Sequence, residues 1–202
     1  MSADASGSTT PLVARVVPDV TGLDRVFDYL VPDRLASRVT IGTRVRVPLH
    51  GRRVGGWVVG FGPAAVDRLV EIDRVSSIGP SAEIIELAEW AARRWGTSRL
   101  RPFLVVASPP TMVPDPSPAA ARSVRREAPR TGGIRRTLHR IGPLTDPLPI
   151  VIEAATAGPT LALHPSPAAA RALAARLRRS GLRVASLPDE WASAAAGVDV
   201  VV

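Results

Sequence analysis

The sequence predicts a mixed fold. A small β-rich domain, barrel- or sandwich-like and with one helix, precedes a linker and a partial α/β unit. Three observations predict this arrangement. Residues 11–107 contain short runs of β-branched and aromatic residues separated by turn residues. Residues 108–118 are rich in Pro and Ser, as linkers are. Residues 160–202 alternate between strand-like and helix-like segments, which is typical of α/β units.

Four strands are predicted in the β-rich domain, at residues 12–17, 25–31, 43–48 and 54–61. In the third strand Val45 and Val47 alternate with Arg44 and Arg46, which predicts one apolar face and one basic face. Glycines crowd residues 51–62 and indicate tight turns or a close approach of the backbone. These strands and turns predict a β domain over residues 11–110.

One helix is predicted among these strands. Ser81 is its N-cap, and Gly96 follows its last turn. Its apolar stripe consists of residues at helical spacing, namely Ile84, Leu87, Ala88, Ala91 and Trp95. Residues 100–106 are predicted to return to a strand.

Residues 111–148 are predicted to be a basic linker rich in Pro and Arg. Seven Arg and one Glu lie between residues 122 and 140. Such a stretch is typical of solvated or disordered chain, and its charge would alternatively suit an electrostatic arm along a phosphate backbone. Residues 1–10 are predicted to be a disordered tail.

Residues 149–202 are predicted to form an α/β unit with parallel strands. Ser166 and Pro167 begin its main helix as the N-cap and the first helical residue. The buried stripe of this helix consists of Ala170, Leu173, Ala174 and Leu177. We expect this unit to be truncated, because two or three parallel strands cannot cover both faces of their sheet.

Composition excludes several kinds of chemistry. All 26 basic residues are Arg, against 18 acidic residues, and the net charge is +8. The absence of Lys excludes Schiff-base catalysis and a Walker A lysine. The absence of Cys excludes disulfides, thiolate nucleophiles and Cys-ligated zinc. His50, His139 and His164 are far apart in sequence, so no metal site is predicted.

The amino terminus lacks the basic and apolar regions of a signal peptide, and no run of residues is apolar enough to span a bilayer. The sequence therefore predicts a cytoplasmic protein without a membrane partner.

Three blocks of sequence resemble the start of the PriA family of replication-restart helicases, also called primosomal protein N-prime. The blocks are Val13-Ala-Arg-Val-Val17, Asp24-Arg-Val-Phe-Asp-Tyr-Leu-Val-Pro32 and Ile41-Gly-Thr-Arg-Val-Arg-Val-Pro-Leu-His-Gly-Arg-Arg-Val-Gly-Gly-Trp-Val-Val59. Trp90-Ala-Ala-Arg-Arg-Trp95 and Ala107-Ser-Pro-Pro110 also look like the end of that family's 3′-DNA-binding domain.

The resemblance implies that residues 11–110 capture the 3′ end of a nascent DNA strand at a stalled fork, in replication restart and primosome assembly. The implied pocket for the terminal nucleotide consists of Phe27, Asp28, His50, Gly51 and a basic residue, Arg74 or Arg68. His50 stands where the family usually has Gly. In chemical terms, the Asp28 carboxylate can accept the hydrogen of the terminal ribose hydroxyl, and Phe27 or Tyr29 can stack on the last base. An ordinary strand with Phe27 and Tyr29 as core and rim residues is the alternative.

A basic patch is predicted to contact the DNA backbone. It consists of Arg44, Arg46, Arg52 and Arg53, and no acidic residue lies between residues 34 and 66. An ordinary solvated hairpin face is the alternative for this patch. The four Trp are expected in the core or at its rim, and Trp57, in the same hairpin, is the best candidate among them for stacking on a base.

Residues 149–202 resemble the start of a RecA-like helicase domain of the degenerate actinobacterial type, and residues 111–148 would alternatively be a degenerate winged helix. The family's P-loop corresponds to Glu153-Ala-Ala-Thr-Ala-Gly-Pro-Thr160, which has one Gly and no Lys. The family uses ATP, Mg and Zn. We expect no cofactor and no ATPase activity in this chain, because the P-loop lysine and the zinc-binding cysteines are absent.

The partners implied are forked DNA with a 3′ end, single-stranded-DNA-binding protein and other primosome proteins. The alternative function is that of a basic RNA- or ribosome-binding β module without enzymatic activity.

Overall fold

The computed structural model describes residues 11–23, 25–63, 69–97, 99–113 and 136–202. The chain forms two compact units, residues 1–115 and 116–202. The predicted tail at residues 1–10, the candidate Arg68 and most of the predicted linker lie outside the described residues.

The first unit contains a six-stranded sheet. Its strands are β1 (Val13–Pro18), β2 (Phe27–Leu30), β3 (Arg44–Leu49), β4 (Arg52–Phe61), β5 (Val70–Glu71) and β6 (Arg74–Ser77). They are ordered β5-β2-β1-β4-β3-β6, and all neighbours are antiparallel except β2 and β5. Three helices accompany them: α1 (Asp33–Ala36), α2 (Ala82–Arg94) and α3 (Arg101–Val106).

β5 and β6 form the two edges of this sheet, although only Ile72 and Asp73 separate them in the chain. β5 pairs with β2 at one edge, and β6 pairs with β3 at the other. The Ile72 amide donates to the Leu30 carbonyl at 2.9 Å, and the Asp73 amide donates to the Arg46 carbonyl at 3.0 Å. The sheet therefore curls into a half-barrel, which confirms the predicted mixed fold with a β-rich first domain.

Apolar residues pack on both faces of the curled sheet. One face buries mainly Val side chains from the strands, together with Tyr29 and Ile72. β-branched residues suit this position, because they pack well on a pleated surface. The other face buries Trp57, and Ile85 of α2 and Leu104 of α3 pack against it.

Helix α2 is confirmed where the sequence predicts it, but the predicted buried stripe is partly wrong. Ile85, Ala88, Ala91 and Ala92 are its buried residues. Ile84 and Leu87 are exposed instead. Two apolar stripes with helical spacing run along this helix, and the one rich in Ala lies next to the bulky Trp57.

The strand predicted at residues 100–106 is wrong, because this segment forms helix α3. The β-branched Val105 and Val106 favoured a strand, but tertiary contacts outweigh that preference. Leu104 is fully buried, and its carbonyl accepts a 2.6 Å hydrogen bond from the Ser108 hydroxyl. The Trp57 indole N–H donates to the same hydroxyl oxygen at 2.7 Å. These bonds fix the end of the helix against the sheet.

The second unit is a small α/β arrangement. Its elements are α4 (Leu148–Ala157), β7 (Thr160–Leu161), α5 (Pro167–Arg179), β8 (Val184–Ala185), α6 (Trp191–Ala196) and β9 (Val200–Val201). The strands are parallel in the order β7-β9-β8, as predicted. The Ser166 hydroxyl caps α5 by accepting from the Ala169 amide at 3.4 Å, which confirms the predicted helix start.

The segment predicted to correspond to the P-loop does not have the topology of a P-loop. Residues 153–157 lie in α4, and Thr160 begins β7. A P-loop connects the end of a strand to the start of the next helix, whereas residues 153–160 lead from a helix to a strand. The segment also has no Lys, as is true of the entire chain.

Within the described part of the chain, no helix has the length and hydrophobicity needed to cross a membrane.

Candidate nucleic-acid interface

Phe27 and Asp28 are neighbours on β2, and their side chains leave the strand on opposite faces. Phe27 pairs with Val16 and packs against the Val-rich core, with the Arg25 guanidinium 5.8 Å from the centre of its ring. Asp28 pairs in register with Arg15 of β1, on the other face. Both side chains are partly buried.

Phe27 and Asp28 precede the part of β2 that pairs with β5. Among the described residues, β5 pairs with Tyr29 and Leu30. The described strand that pairs with Phe27 and Asp28 is β1.

Tyr29 connects β2 to the turn between β3 and β4. Its phenol donates a 2.9 Å hydrogen bond to the carbonyl of Pro48, near the end of β3. Tyr29 is 4% exposed, and burial raises the pKa of its hydroxyl above the ordinary value. This bond brings the turn at His50 and Gly51 towards β2, although β1 and β4 lie between β2 and β3 in the sheet.

The turn itself has a fixed conformation. His50 has a φ of 47° and Gly51 a φ of 77°. Two-residue hairpin turns of type I′ need positive φ at both central positions, so a residue other than Gly at position 50 is strained. The side chain of His50 is exposed. The structure therefore places Phe27 and Asp28 on β2 and His50 and Gly51 in the β3–β4 turn, and the Tyr29–Pro48 hydrogen bond connects these two elements.

Among the four arginines predicted to contact the DNA backbone, Arg44 differs in its surroundings. Its side chain is 16% exposed and forms a 2.8 Å ion pair with Asp19. Asp19 also binds Arg101, the first residue of α3, at 2.8 Å. The Arg44 guanidinium lies 4.8 Å from the centre of the Trp57 ring. We call Asp19, Arg44 and Arg101 the Asp19 triad, and its contacts attach α3 to the sheet.

Trp57 is fully buried, so its prediction as the best stacking candidate is wrong. Its neighbours Val17, Ile85 and Leu104 enclose it on the sheet face covered by helices. The sequence shows a Trp in a basic hairpin, but it does not show that α2 and α3 cover that face.

A second group of arginines surrounds Asp73. Arg46 lies opposite Arg74 in the β3–β6 pairing. Arg53 is 3.5 Å from the Asp73 carboxylate, with its own side chain 71% exposed. The Arg34 guanidinium donates to the Asp73 carbonyl at 3.1 Å. We call Arg34, Arg46, Arg53 and Arg74 the Asp73 cluster.

The Asp73 cluster has the charge to hold phosphate groups. Arg53 pairs with the Asp73 carboxylate, whereas Arg34 binds the main-chain carbonyl. Arg46 and Arg74 lie directly opposite each other, and like charges in that arrangement destabilise a sheet. An anion that lies between Arg46 and Arg74 would offset this repulsion. Arg52 is also exposed and follows the turn directly. Arg46, Arg52 and Arg53, three of the residues predicted to contact the DNA backbone, thus lie on the β3–β4 hairpin.

Sequence reasoning missed Arg34. It lies in α1, remote in sequence from the hairpin, and only closure of the sheet by residues 70–77 brings it to Asp73. No local motif could identify it, because this contact spans 39 positions of the chain.

Among the described residues, no group of His, Asp and Glu side chains is arranged to hold a metal ion.

The comparison with protein families agrees with this geometry. Residues 15–106 match the family model of the PriA 3′DNA-binding domain (3′BD). The match begins within β1 and contains β2 to β6 and α1 to α3, and thus both β2 and the β3–β4 turn. No curated protein matches the chain significantly. Residues 15–106 are therefore similar to the PriA 3′ DNA-binding domain, and this similarity supports DNA binding by this part of the chain.

Proposed function

We propose that this protein binds the 3′ end of a nascent DNA strand at a stalled replication fork and acts in replication restart. The observation that carries the proposal is the Tyr29–Pro48 hydrogen bond, because it connects the end of β3, next to the β3–β4 turn, to β2. The family match over residues 15–106 supports the DNA-binding part of this function.

In this proposal the terminal nucleotide lies along the edge of β2. The Asp28 carboxylate accepts the hydrogen of the terminal 3′ hydroxyl, and the Phe27 ring stacks on the last base. The backbone of the turn at Gly51 approaches the sugar, and the exposed His50 limits the space beside it. Arg74, which we predicted as the basic residue of this pocket, lies in the Asp73 cluster and would hold a phosphate close to the terminus.

The DNA backbone would then follow the basic hairpin. Arg52 and Arg53, which are exposed, and the half-buried Arg46 supply positive charge for phosphate groups, and releasing the counterions of those phosphates favours binding. Arg44 is assigned to the Asp19 triad instead, because its charge is already paired with a carboxylate.

We also propose that the chain binds forks without hydrolysing ATP. Catalysis of phosphoryl transfer needs groups that neutralise the charge of the phosphates, and this sequence has no Lys for that purpose. Forked DNA is its proposed partner, and single-stranded-DNA-binding protein and other primosome proteins would be met at the same forks.

Binding to matched forks tests this function. One fork has a nascent strand that ends in a 3′ hydroxyl at the junction, and the second lacks the nascent strand. A third carries the same nascent strand as RNA. We expect the purified full chain to bind the first fork about tenfold more tightly than the second, since a lost hydrogen bond to a charged group costs about 1.5–3 kcal/mol. Equal affinity for the first two forks would contradict the proposal, and preference for the RNA strand would favour an RNA-binding module.

Two substitutions locate the site in the same assay. Asp28→Ala should remove most of the preference for the 3′ end. Glu71→Ala is the matched control, because it removes an exposed carboxylate from β5, the strand beside β2, without touching the proposed pocket. Loss of the preference in both variants would mean that general charge, rather than Asp28, determines it.

A further inference from the structure

Three aromatic side chains form a surface cluster that the proposed 3′-end site does not use. Trp90 is 53% exposed and Trp95 is 67% exposed, and Phe103 packs beside Trp95. We call these three residues the tryptophan platform. Two such exposed indoles in contact with each other are unusual on a protein surface and indicate a binding surface.

The platform has a defined geometry. The rings of Trp90 and Trp95 are 6.2 Å apart and meet edge to face at 79°. Phe103 lies nearly parallel to Trp95, with the ring centres 6.4 Å apart and the planes at 26°. Phe103 thus supports Trp95 from within the unit, while most of the Trp95 surface is open to a ligand.

The end of α2 holds Trp95 in place. The Trp95 amide donates to the Ala91 carbonyl at 3.0 Å, and the Thr97 amide donates to the Ala92 carbonyl at 2.9 Å. Gly96, with a φ of 64°, provides the left-handed residue that this type of helix end requires. Little conformational freedom of the backbone is therefore lost when a ligand stacks on Trp95.

Charge along α2 favours an anionic ligand at this end. Arg93 and Arg94 lie in the last turn and are exposed. Arg93 approaches Glu89 only at 3.9 Å, with 71% of its side chain exposed. The acidic Glu83 and Glu86 lie towards the other end of the helix. The aromatic rings therefore coincide with the basic end of α2.

We propose that the tryptophan platform binds bases of single-stranded DNA, as a second contact surface separate from the 3′-end site. Exposed aromatic faces beside arginines are the features with which proteins bind single strands irrespective of sequence. The inference rests on the proposed function in one respect, since a fork supplies single-stranded DNA next to the nascent 3′ end.

A circular oligothymidylate tests this proposal separately from the 3′-end site, because a closed circle has no 3′ terminus. We expect the full chain to bind the circle. Trp95→Ala and Trp90→Ala should each weaken this binding about tenfold, as expected for loss of one stacked base. Trp95→Phe should retain most of the affinity, because a phenyl ring still stacks. Leu87→Ala is the matched control on the same helix, at a side chain that is 54% exposed, and should bind like the unmodified chain.

Circular dichroism checks that each variant is folded. Failure to bind the circle, or equal affinities of the Trp95→Ala and Leu87→Ala variants, would overturn the proposal. Binding of an acidic apolar peptide to the platform, without binding of the circle, would make it a protein-docking site and would also overturn it. Preference for the 3′-ended fork is measured independently, so either proposal can fail while the other survives.

Discussion

The first unit contains two groups of arginines around an aspartate, and their surroundings differ. In the Asp19 triad, Arg44 and Arg101 both reach the carboxylate at 2.8 Å, and the three side chains are 16–29% exposed. In the Asp73 cluster the carboxylate has one arginine at 3.5 Å, and that arginine is 71% exposed. In the first group both arginines bind the carboxylate and connect α3 to the sheet, whereas the second keeps most of its positive charge at the surface.

Arg44 and Arg46 make this difference clear, because they lie on the same strand and on the same face of it. Arg44 lies opposite Trp57, under the cover of α3, whereas Arg46 lies opposite Gly55 and beside Arg74. A side chain opposite Gly has no cross-strand neighbour on that strand to enclose it. The identity of the facing residue therefore separates a structural arginine from one that is open to phosphate.

The largest effect is expected from removal of the shared carboxylate of the triad. Asp19→Ala leaves two partly buried guanidinium groups without their partner, which should lower the free energy of unfolding by about 3 kcal/mol. Asp73→Ala is the matched change in the exposed cluster and should cost less than about 1 kcal/mol. Guanidinium chloride denaturation followed by tryptophan fluorescence measures both, and similar losses would mean that the two groups do not differ as described.

The next prediction separates the two arginines by function. Arg46→Ala should lower the slope of log affinity for forked DNA against log salt by roughly 0.9, the value for one phosphate contact, with little change in stability. Arg44→Ala should do the opposite, leaving the slope unchanged and lowering the denaturation midpoint. A reduced slope in the Arg44→Ala variant would place Arg44 at the DNA and would show that Arg44 and Arg46 do not differ in function.

The sequence predicts β1 to β4 and the alternation of Val and Arg along β3 correctly, because such alternation is a local pattern. It does not predict which residues cover that face. Val105 and Val106 favour a strand by composition, but the segment forms helix α3 with Leu104 buried against the sheet. The choice of Trp57 as the best stacking candidate fails because the same cover is not visible in the sequence. Residues 70–77 contain β5 and β6, which pair with β2 and β3 at opposite edges of the sheet. Such long-range pairing leaves no signal in any short run of residues.

Ionisation of Tyr29 at alkaline pH is expected to have a smaller effect on stability. Burial raises the pKa of its hydroxyl in the folded state, so the unfolded chain loses this proton first as the pH rises. Stability from this group is therefore complete below a pH of about 10, the pKa of an exposed tyrosine, and declines above it. The chain has one Tyr, no Lys and no Cys, so few other groups titrate in this range.

Denaturation midpoints between neutral pH and pH above about 10 test this account of Tyr29. Tyr29→Phe should be less stable by about 1 kcal/mol at neutral pH, because the Pro48 carbonyl loses its donor. The variant should also lack the alkaline decline. An identical decline in both proteins would show that another group causes it.

The most direct test of 3′-end binding compares two chemical states of the terminus. The unmodified chain is titrated with one fork whose nascent strand ends in a 3′ hydroxyl and with the same fork ending in a 3′ phosphate. A phosphate places a second anion against the Asp28 carboxylate, where neighbouring protein limits screening by salt. We predict that the hydroxyl end binds tighter by roughly ten- to a hundredfold, the equivalent of about 1.5–3 kcal/mol. Equal dissociation constants for the two ends would contradict the account and would leave Phe27 and Asp28 as structural residues of β2.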